Sequence, residues 1–478
     1  MARIFVTIFE ETTRDAIEAI RAIREPIDGL ELRVDALDAA GTPATDLPAI
    51  RRSADLPMIF TRRSTEKGQA PLTPREAEEA LGAGFDLIDV ELNSPWQREL
   101  LTLLGDRAIL SHHDYLGADD AEIILDRMRA AAVRTKIAIT PRTFDENLRI
   151  LRLAERCGDG STVIGMGEYG LYSRILAPFF GSEIVFAATG ESRTAAPGQL
   201  TLSRALAIYG DDPSSLSRPH AIFCVVGHPV AHSLSPSFHN DRFRSLRVSA
   251  AYSMADVESF GEILQPFLRC DEFAPVGMSV TSPFKIDAFR AAVEHRWELG
   301  PEVIDCGSVN TLVRLDAGRV VARNTDAEGF LAALRLVEDS HPRMVAVIGA
   351  GGSGRAAAWA AKEAGFDVTV FNRTREKGER VAAELGVDAA PLEALEGDFS
   401  AILNTVTAGA NVSIPREAFK AGRLFVDVAY AEGTTGLTER AREAGMIIFD
   451  GHDLFEAQAY TQSKLFVAAA ESANRMVQ

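Results

Sequence analysis

The chain has 478 residues, of which 46% are hydrophobic and 25% are charged, and its formal net charge is -18. The apolar share excludes a disordered chain, and 37 glycines and 21 prolines exclude a collagen-like or low-complexity one. Binding of nucleic acid or of an anionic membrane needs clustered positive charge, for which this acidic balance is a poor match. Anionic small-molecule substrates are not excluded, because local Arg and Lys can reverse the field inside a pocket, and the composition leaves the oligomeric state open. At about 100–200 residues per domain, the length predicts two to four domains.

Cysteine usage and the opening segment both favour the cytoplasm. Cys157, Cys224, Cys270 and Cys306 are far apart and form no CxxC pair or other metal-ligand spacing. Such cysteines are typical of reduced thiols in a reducing compartment. The segment MARIFVTIFEE resembles neither a signal peptide nor a presequence, and no apolar run reaches the roughly 18 residues of a membrane span. The sequence thus predicts a cytoplasmic protein without a metal site.

The first 208 residues alternate between short apolar runs and segments with helical spacing. Helical spacing is clear at 13–23, 73–84 and 118–131. Alternation of this kind indicates βαβ units with a parallel sheet, and eight strands in about 200 residues predict a (β/α)8 barrel. A doubly wound open sheet is the alternative. The predicted strands are 3–9, 30–36, 56–62, 85–92, 107–113, 135–140, 162–167 and 183–188.

Charged residues recur at every second position of two predicted strands. Glu31, Arg33 and Asp35 share one face of ELRVD, and Asp89 and Glu91 share one face of LIDVEL. In a closed barrel the face that the helices do not cover points inward. We therefore expect a ring of charges in the upper layer of the barrel, where such folds place their active sites. A solvent-facing polar stripe on an edge strand is the alternative.

One lysine and two histidines add reactive groups to this ring. Lys136 begins the predicted strand TKIAIT, and inside a charged barrel its amine could form a Schiff base. A surface lysine is the plainer interpretation. His112 and His113 end another strand, and either could shuttle protons near neutral pH.

This half of the chain resembles the Schiff-base-forming (type I) 3-dehydroquinate dehydratases. The segments that carry the resemblance, in the family's order, are ELRVD, FTRRS, DLIDVEL, SHHDY, the TKIAITP lysine, MGEYGLYSR and APGQ. The resemblance implies that Lys136 forms an imine with the substrate ketone, and that His113 removes the adjacent proton and later protonates the departing hydroxyl. It also implies that Arg174 binds the substrate carboxylate as a bidentate fork. The residues implied to position hydroxyls, His113 and Lys136 are Glu31, Arg33, Arg63, Asp89, Glu91 and Gln199.

Two positions depart from the family pattern. Ala195 stands where many relatives have a serine, which removes one hydroxyl contact. The segment Glu66-Lys67-Gly68 stands where relatives commonly have Glu-Gly-Gly, so Glu66 is only a secondary candidate for a substrate contact.

The second half contains a βαβ unit with a glycine-rich turn at residues 344–374. The turn GAGGSG follows an apolar strand and opens an Ala-rich helix, where glycines let the backbone and the helix N-terminus approach a pyrophosphate. The next strand ends in donors and cations instead of an acid, which favours NADP over NAD. A Rossmann-like fold that binds no nucleotide is the alternative. The cofactor-binding candidates are Gly349, Gly351, Gly352, Ser353, Gly354, Asn372, Arg373, Thr374 and Lys377.

The segments around this unit resemble shikimate dehydrogenases over nearly all of residues 220–478. They are VVGHPVAHSLSPSFHN, GMSVTSPFK, GSVNTL and RNTDAEG, together with the glycine-rich turn. The resemblance implies that Lys285 and Asp326 form a catalytic pair in a cleft between a substrate domain and a nucleotide domain. There the lysine would hydrogen-bond the substrate oxygen and pass a proton as hydride moves. The residues implied to hold the carboxylate and ring hydroxyls are Ser233, Ser235, Thr281, Asn310, Gln458 and Tyr430.

Two of these assignments have plainer alternatives. Ser233 and Ser235 share a face only if the backbone there is extended, and otherwise they form a Ser-rich turn. Lys285 can be explained as an exposed lysine at the start of a helix.

Together the resemblances imply an α/β enzyme with an N-terminal (β/α)8 barrel followed by a two-lobed dehydrogenase with a Rossmann NADP-binding domain. We expect a dehydratase barrel at 1–208, a linker at 209–219 (YGDDPSSLSRP), a substrate domain at 220–325 completed by 451–478, and the NADP-binding domain at 326–450.

Such an enzyme of aromatic precursor biosynthesis would dehydrate 3-dehydroquinate to 3-dehydroshikimate and reduce that product to shikimate with NADPH. One alternative gives the second half quinate or quinate/shikimate dehydrogenase activity. Another is a non-catalytic metabolite sensor, which the presence of all four catalytic candidates disfavours.

Overall fold

The computed structural model describes residues 1–39, 45–64, 70–132, 134–316, 318–406, 412, 414–429 and 436–477. By its contacts the chain divides into two compact units. One combines Met1–Ile222 with Pro236–Ala274, and the other combines Phe223–Ser235 with Pro275–Gln478. The functional domain boundaries expected from the sequence stay predictions, since this division describes packing alone. Within the described ranges, no helix has both the length and the apolar character needed to cross a lipid bilayer.

Eight parallel strands form the sheet of the first unit. They are β1 (Arg3–Ile8), β2 (Gly29–Arg33), β3 (Met58–Thr61), β4 (Leu87–Glu91), β5 (Ala108–Asp114), β6 (Arg134–Ile139), β7 (Ser161–Gly165) and β8 (Ile184–Ala188). Their order is β7-β6-β5-β4-β3-β2-β1-β8. At the seam between β7 and β8, the Glu183 N–H donates to the Ser161 carbonyl at 2.9 Å, and the Ser182 hydroxyl bonds both the N–H and the carbonyl of Val163. The expected eight-stranded barrel is confirmed.

Helices connect these strands, and threonines begin several of them. The side chains of Thr12, Thr73 and Thr143 accept backbone N–H groups of the first helical turn, which stabilises a helix N-terminus. The helices are α1 (Thr13–Ala22), α2 (Val34–Ala39), α3 (Leu47–Arg51), α4 (Pro74–Ala83), α5 (Gln97–Leu104), α6 (Ala121–Ala131), α7 (Phe144–Arg156), α8 (Leu171–Leu176) and α9 (Leu202–Tyr209).

The chain then forms β9 (Ala221–Gly227), a strand of the second unit, before it returns to the first. The returning segment contains α10 (Ser235–Leu246), β10 (Ala250–Asp256) and α11 (Phe260–Arg269).

The second unit contains two sheets, and the first of them is mixed. Its strands β9, β11 (Gly277–Val280), β12 (Glu298–Leu299), β13 (Thr311–Asp316) and β14 (Arg319–Arg323) follow the order β9-β11-β13-β14-β12. The helices α12 (Lys285–Glu294) and α13 (Pro301–Cys306) lie between these strands in the chain. The pair β13 and β14 is an antiparallel hairpin, whereas β9 and β11 pair in parallel.

The second sheet is entirely parallel and has the Rossmann strand order. Its order is β17-β16-β15-β18-β19-β20, with the nucleotide crevice expected where the order reverses, between β15 and β18. Its strands are β15 (Met344–Ile348), β16 (Asp367–Asn372), β17 (Asp388–Pro391), β18 (Ala401–Asn404), β19 (Leu424–Asp427) and β20 (Ile447–Phe449). The helices that pack on this sheet are α15 (Gly352–Glu363), α16 (Arg375–Leu385) and α17 (Gly436–Glu443). Helix α14 (Thr325–Leu334) packs against α15 and α18 (Gly451–Val477), and α18 packs on β13 of the first sheet.

The glycine-rich turn joins β15 to α15 by a close backbone approach. Gly349 has a φ of 110°, which side-chain-bearing residues rarely adopt. A Cβ atom added at Gly354 would overlap the carbonyl oxygen of Gly349, whereas one added at Gly351 would meet nothing within 4 Å. The alanines of α15 are fully buried against the sheet, so the helix cannot shift outward without losing packing.

We expect Gly354→Ala to destabilise the Rossmann sheet because its added methyl group meets a backbone carbonyl that cannot rotate away. The free energy of unfolding should fall by about 1–3 kcal/mol, the usual cost of overpacking. Chemical denaturation of the full chain measures this fall, and Gly351→Ala is the matched control that should leave the free energy of unfolding nearly unchanged. Equal losses in both variants would show that the close approach is not the cause.

Candidate active sites

The barrel contains a cavity of about 560 Å³. Residues that end or directly follow β1, β2, β5, β6 and β7 line it, so it opens at the carboxyl ends of the strands, where barrel enzymes hold their active sites. Asp89 and Glu91 do not line the cavity but contact residues that do. The sequence-predicted residues that line it are Glu31, Arg33, Arg63, His113, Lys136, Arg174 and Gln199.

Lys136 is a buried residue of β6 and not a surface lysine. Its side chain is 5% exposed, and its Nζ lies 2.8 Å from an Asp89 oxygen and 3.3 Å from a Glu31 oxygen. The same atom lies 4.5 Å from the centre of the Phe186 ring. Lys136 is the third residue of β6 and pairs in register with Ser111 of β5. It therefore starts deep in the barrel, and its long side chain reaches the two carboxylates.

Asp89 is fully buried and anchors two cations. Its carboxylate accepts two hydrogen bonds from the Arg63 guanidinium, at 2.8 and 3.1 Å, and one from the Ser111 hydroxyl at 2.5 Å. Burial alone would raise the pKa of Asp89, but the charges of Arg63 and Lys136 outweigh it and hold the pKa well below its ordinary value. Burial likewise acts to raise the pKa of Glu31, and Lys136 and then Arg33 lower it. Both carboxylates are therefore charged at neutral pH.

Hydroxyl groups on neighbouring strands complete the hydrogen bonds of these acids, and the sequence did not single them out. Thr7 on β1 and Thr61 on β3 each donate to the Glu31 carboxylate at 2.9 Å. Ser111 on β5 donates to Asp89 and accepts from Arg63. The signal available was their inward-facing position on the same strand faces as the charged candidates.

The two histidines of β5 have different environments. His113 lines the cavity, and the pairing of β5 with β6 sets it two residues further along its strand than Ser111, the partner of Lys136. Because residues two apart on a strand share a face, His113 lies above the buried amine. Burial, then the charges of Arg63 and Lys136, lower the pKa of His113 well below its ordinary value. The imidazole is therefore neutral at neutral pH.

Two arginines face the cavity from different elements. Arg33 is the last residue of β2, and it forms a fork with both oxygens of Asp35 at 2.9 and 2.7 Å. The expected strand through Asp35 is wrong, because α2 begins at Val34 and the first helical turn carries Asp35 to the cavity. Arg174 is on α8, and its Nε donates to the Gly165 carbonyl at 2.6 Å. Burial lowers the pKa of Arg174 to about 10, so it is charged at neutral pH.

The loop after β8 contributes Gln199 to the wall of the cavity. The side chain of Gln199 accepts from the Ala195 N–H at 2.8 Å and donates to the Thr7 hydroxyl at 3.1 Å. Ala195 itself lines the cavity. Glu66, Lys67 and the glycine after them lie outside the described residues.

The second candidate site centres on an ion pair between two helix N-termini. Lys285 begins α12 and Asp326 is in the first turn of α14, and their side chains are each 13% exposed and in direct contact. Lys285 is therefore not the exposed helix-start lysine of the plainer interpretation. Its Nζ also donates to the Ser353 hydroxyl at 2.9 Å, and Asn310 donates to the second Asp326 oxygen at 2.8 Å.

A chain of polar side chains extends from this pair. Asn310 donates to the Thr325 hydroxyl at 3.0 Å, and that hydroxyl donates to Gln458 of α18 at 3.1 Å. Gln462, one turn further along α18, accepts from Ser279 at 2.9 Å and donates to the Thr311 hydroxyl at 2.8 Å. Thr325 and Gln462 were not sequence candidates.

Four further candidates remain: Ser233 and Thr281 lie on loops, Ser235 begins a helix, and the fourth is Tyr430. Ser233 and Ser235 are both buried, and the Ser235 N–H donates to the Ser233 hydroxyl at 3.2 Å. The extended backbone considered for them is wrong, because Ser235 begins α10. Thr281 directly follows β11, and its N–H donates to the Val226 carbonyl at 2.9 Å. Tyr430 lies outside the described residues.

A cavity of about 470 Å³ lies at the carboxyl ends of β15, β16 and β18. No ion pair with a described carboxylate involves Arg373, Lys377 or Arg380, so three cations offer free charge to an anion. The open glycine turn and these cations fit a nucleotide that carries an extra phosphate. Of the expected cofactor residues, Gly352, Ser353 and Gly354 do not line the cavity, and those that do are Gly349, Gly351, Asn372, Arg373, Thr374 and Lys377.

Gly352 and Ser353 lie instead against the ion pair. A Cβ atom added at Gly352 would come within 2.8 Å of the Lys285 side chain, and Ser353 accepts from the same lysine. The turn therefore connects the cofactor cavity with the reacting pair. Arg355 and Arg380 also line the cavity and were missed, because a helix arginine carries no motif signal.

Family models and individual relatives match both halves. The models are Type I 3-dehydroquinase over residues 4–212, the shikimate dehydrogenase substrate binding domain over 225–312, and Shikimate / quinate 5-dehydrogenase over 331–430. The chain is 31% identical over 488 residues to the chloroplastic bifunctional 3-dehydroquinate dehydratase/shikimate dehydrogenase of Arabidopsis thaliana, covering 94% of this chain and 79% of that one.

Two other relatives differ in how much of the chain they match. The chain is 27% identical over 447 residues to the shikimate biosynthesis protein AroDE of Chlamydia pneumoniae, covering 92% of this chain and 90% of that one. It is 35% identical over 233 residues to the shikimate dehydrogenase (NADP(+)) of Thermus thermophilus, covering 48% of this chain and 86% of that one.

We expect the His113 imidazole to titrate well below the ordinary histidine pKa of about 6.5, because burial and two cations disfavour its charged form. The unfolded chain then binds this proton more tightly than the folded chain. The stability contribution of His113 is present above pH 6.5 and is lost as the pH falls through the interval down to the folded pKa. NMR titration of labelled histidine rings measures the midpoint, with His113→Asn assigning the signal. A midpoint at or above 6.5 would show that the site does not disfavour the charged imidazole.

Proposed function

Because the chain belongs to the family of bifunctional 3-dehydroquinate dehydratases/shikimate dehydrogenases, we propose that its two candidate sites carry the two reactions. The protein is a lyase and an NADP-dependent oxidoreductase of the shikimate pathway. It dehydrates 3-dehydroquinate to 3-dehydroshikimate and reduces that product to shikimate with NADPH. The observation that carries the residue assignment is the pair of carboxylate-bound lysines, the buried Lys136 in the barrel and the partly buried Lys285 beside the glycine-rich turn.

In the dehydratase site, Lys136 gives a proton to neutral His113, and the freed amine adds to the substrate ketone. His113 returns that proton to the carbinolamine hydroxyl, which leaves as water and forms an iminium ion. The iminium nitrogen keeps the positive charge of the lysine, so Glu31 and Asp89 stay paired with it. Neutral His113 removes the proton from the adjacent carbon, and the electron pair moves to the nitrogen. The resulting enamine expels the hydroxyl, which leaves as water with the proton from His113. A second water hydrolyses the iminium and releases the product and the free lysine.

The cations around this centre bind and orient the substrate. Arg174 holds the substrate carboxylate, since its guanidinium is charged, partly buried and at the cavity wall. Arg33 at the end of β2 and Gln199 in the loop after β8 hold ring hydroxyls. Asp89 and Glu91 act through Arg63, which each contacts, because neither carboxylate lines the cavity.

In the dehydrogenase site, Lys285 hydrogen-bonds the ketone oxygen and donates a proton to it as the carbonyl carbon is reduced. Asp326 holds the Nζ in place and stabilises its charge, while Asn310 fixes the other Asp326 oxygen. Ser233, Ser235, Thr281, Gln458 and Tyr430 hold the carboxylate and ring hydroxyls.

The cofactor cavity supplies a site for NADPH, which when bound provides the hydride. The backbone at Gly349 and Gly351, in the turn that leads into α15, would hold the pyrophosphate. Arg373, Lys377 and the neighbouring Asn372 and Thr374 hold the 2′-phosphate.

The functional segments follow from these sites. The dehydratase occupies 1–208, the linker 209–219, the substrate domain 220–325 with 451–478, and the NADP-binding domain 326–450. The three family models, which end and begin near these limits, support the division. A cytoplasmic location is supported by the four free cysteines.

Borohydride added together with 3-dehydroquinate should attach the reduced substrate covalently to Lys136, because hydride converts the iminium to a stable secondary amine. Peptide mass mapping locates the label. Lys136→Ala should abolish the label and lower the dehydratase kcat by about 10³-fold or more. Lys285→Ala is the matched control and should be labelled like the unaltered enzyme while it loses reductase activity. A label that survives Lys136→Ala would remove the proposed nucleophile.

Arg373→Ala should raise the KM for NADPH by about tenfold or more and change the KM for NADH little, because only NADPH carries the 2′-phosphate. Steady-state reduction of 3-dehydroshikimate with each cofactor measures both constants. Arg375→Ala is the control, since that side chain is paired with Glu379 outside the cavity. Equal effects of Arg373→Ala on the two cofactors would defeat the phosphate assignment.

A further inference from the structure

The helix that carries Arg174 is too short to hold its own position. The helix α8 spans only Leu171–Leu176, whereas isolated helices in water need about 12–15 residues to be even marginally stable. Its location therefore depends on what it contacts on each side. The position of Arg174 depends on the same contacts, because the helix sets the direction of its guanidinium. The Arg174 Nε donates to the Gly165 carbonyl at 2.6 Å, a bond that requires the helix to stay in place.

On one side the barrel itself holds the helix. The Ser173 hydroxyl donates to the Asn147 side chain of α7 at 2.7 Å, and the Ser173 N–H donates to the same oxygen at 3.2 Å. From α9, the Tyr209 hydroxyl donates to the Ile175 carbonyl at 3.1 Å. These contacts come from the segment expected to form the dehydratase and from Tyr209, the first residue of the expected linker.

On the other side, residues 236–274 hold it, although the sequence places them in the dehydrogenase half. Tyr172 is fully buried, and its hydroxyl donates to the Phe273 carbonyl at 2.7 Å. The Tyr172 carbonyl accepts from the Ser253 hydroxyl of β10 at 3.0 Å. Tyr172 is thus bonded through both its side chain and its backbone, two residues before Arg174.

The surroundings of Tyr172 make these bonds rigid. The Phe273 ring packs 5.1 Å from the Phe180 ring, centre to centre, and the Tyr172 ring packs 4.7 Å from that of Phe144. Arg152 of α7 is paired with Asp271, two residues before Phe273. Residues 236–274 and the barrel group together as one compact unit, so the contact is a packed core and not a loose surface.

We propose that Tyr172 is a positioning residue of the dehydratase, and that the dehydrogenase segment 236–274 sets the affinity of the barrel for its carboxylate substrate by holding α8 through Tyr172. The proposal rests on the proposed role of Arg174 as the carboxylate ligand. Binding to the carboxylate is shared by the ground state and the transition state, because the carboxylate takes no part in the bond changes. A displaced Arg174 therefore raises KM and leaves kcat.

The test compares Tyr172→Phe and Ser253→Ala in the full chain, measured for both activities. Each removes one hydroxyl from the contact, and each should raise the KM for 3-dehydroquinate about threefold to tenfold while kcat changes less than about twofold. The kcat/KM for shikimate formation in the same preparation should stay unchanged. Arg269→Ala, which removes the exposed pair with Asp145 in the same seam but touches no residue of α8, is the matched control and should leave both constants unchanged.

A double-mutant cycle with Arg174→Lys separates the positioning role of Tyr172 from the proposed role of Arg174 as the carboxylate ligand. If Arg174 binds the carboxylate, Arg174→Lys alone raises KM, and an unchanged KM would overturn the role of Arg174. If Tyr172 acts through Arg174, Tyr172→Phe adds little in the Arg174→Lys background. The positioning role is overturned if Tyr172→Phe raises KM by the same factor in both backgrounds, if it lowers kcat instead of raising KM, or if it leaves both constants unchanged.

Discussion

A buried amine is the constraint on which the barrel site depends. Lys136 keeps only 5% of its side chain exposed, and a cation in such a place is tolerated only while carboxylates offset its lost hydration. Glu31 and Asp89 supply that offset, and each of them needs further donors in turn, which arrive as hydroxyls and guanidinium groups from neighbouring strands. The ring of charges is therefore one connected network. A nucleophile that keeps its positive charge as an iminium leaves the network intact through the reaction.

The second lysine, Lys285, is less buried than Lys136, and its role is proton transfer instead of covalent catalysis. Lys285 is paired with a single carboxylate, Asp326, at the N-termini of two helices, and it is more exposed than Lys136. A residue that passes a proton needs contact with both substrate and a partner acid, but it forms no covalent bond and need not be desolvated as far. The contact with Ser353 then links proton donation to the turn at which the nucleotide is held.

Charge was the signal that made the sites predictable from sequence. Asp89 and Glu91 stand out because acids at alternating positions of an apolar strand are costly unless they serve a purpose. Thr7 and Thr61 give no such signal, since threonine is common in strands for steric reasons alone. Asp35 was assigned to the right face for the wrong reason, because strand alternation and the first turn of a helix both place it beside Arg33. The strands could be predicted from the local sequence pattern. The polar partners of the charged residues could not, because tertiary packing determines which side chains meet.

The grouping of residues 236–274 with the barrel is a feature that local sequence patterns do not predict. The Tyr172 hydroxyl is accepted by a backbone carbonyl at Phe273, and the Ser253 hydroxyl is accepted by the backbone carbonyl of Tyr172. Any residue at the accepting position would offer the same carbonyl, so only the donor of each bond leaves a trace in the sequence. Nothing in the sequence links the second tyrosine of MGEYGLYSR to the single serine of β10. Contacts that depend on main-chain acceptors become visible only once the chain has folded, and here they join the dehydratase to a segment that its motifs assign to the other enzyme.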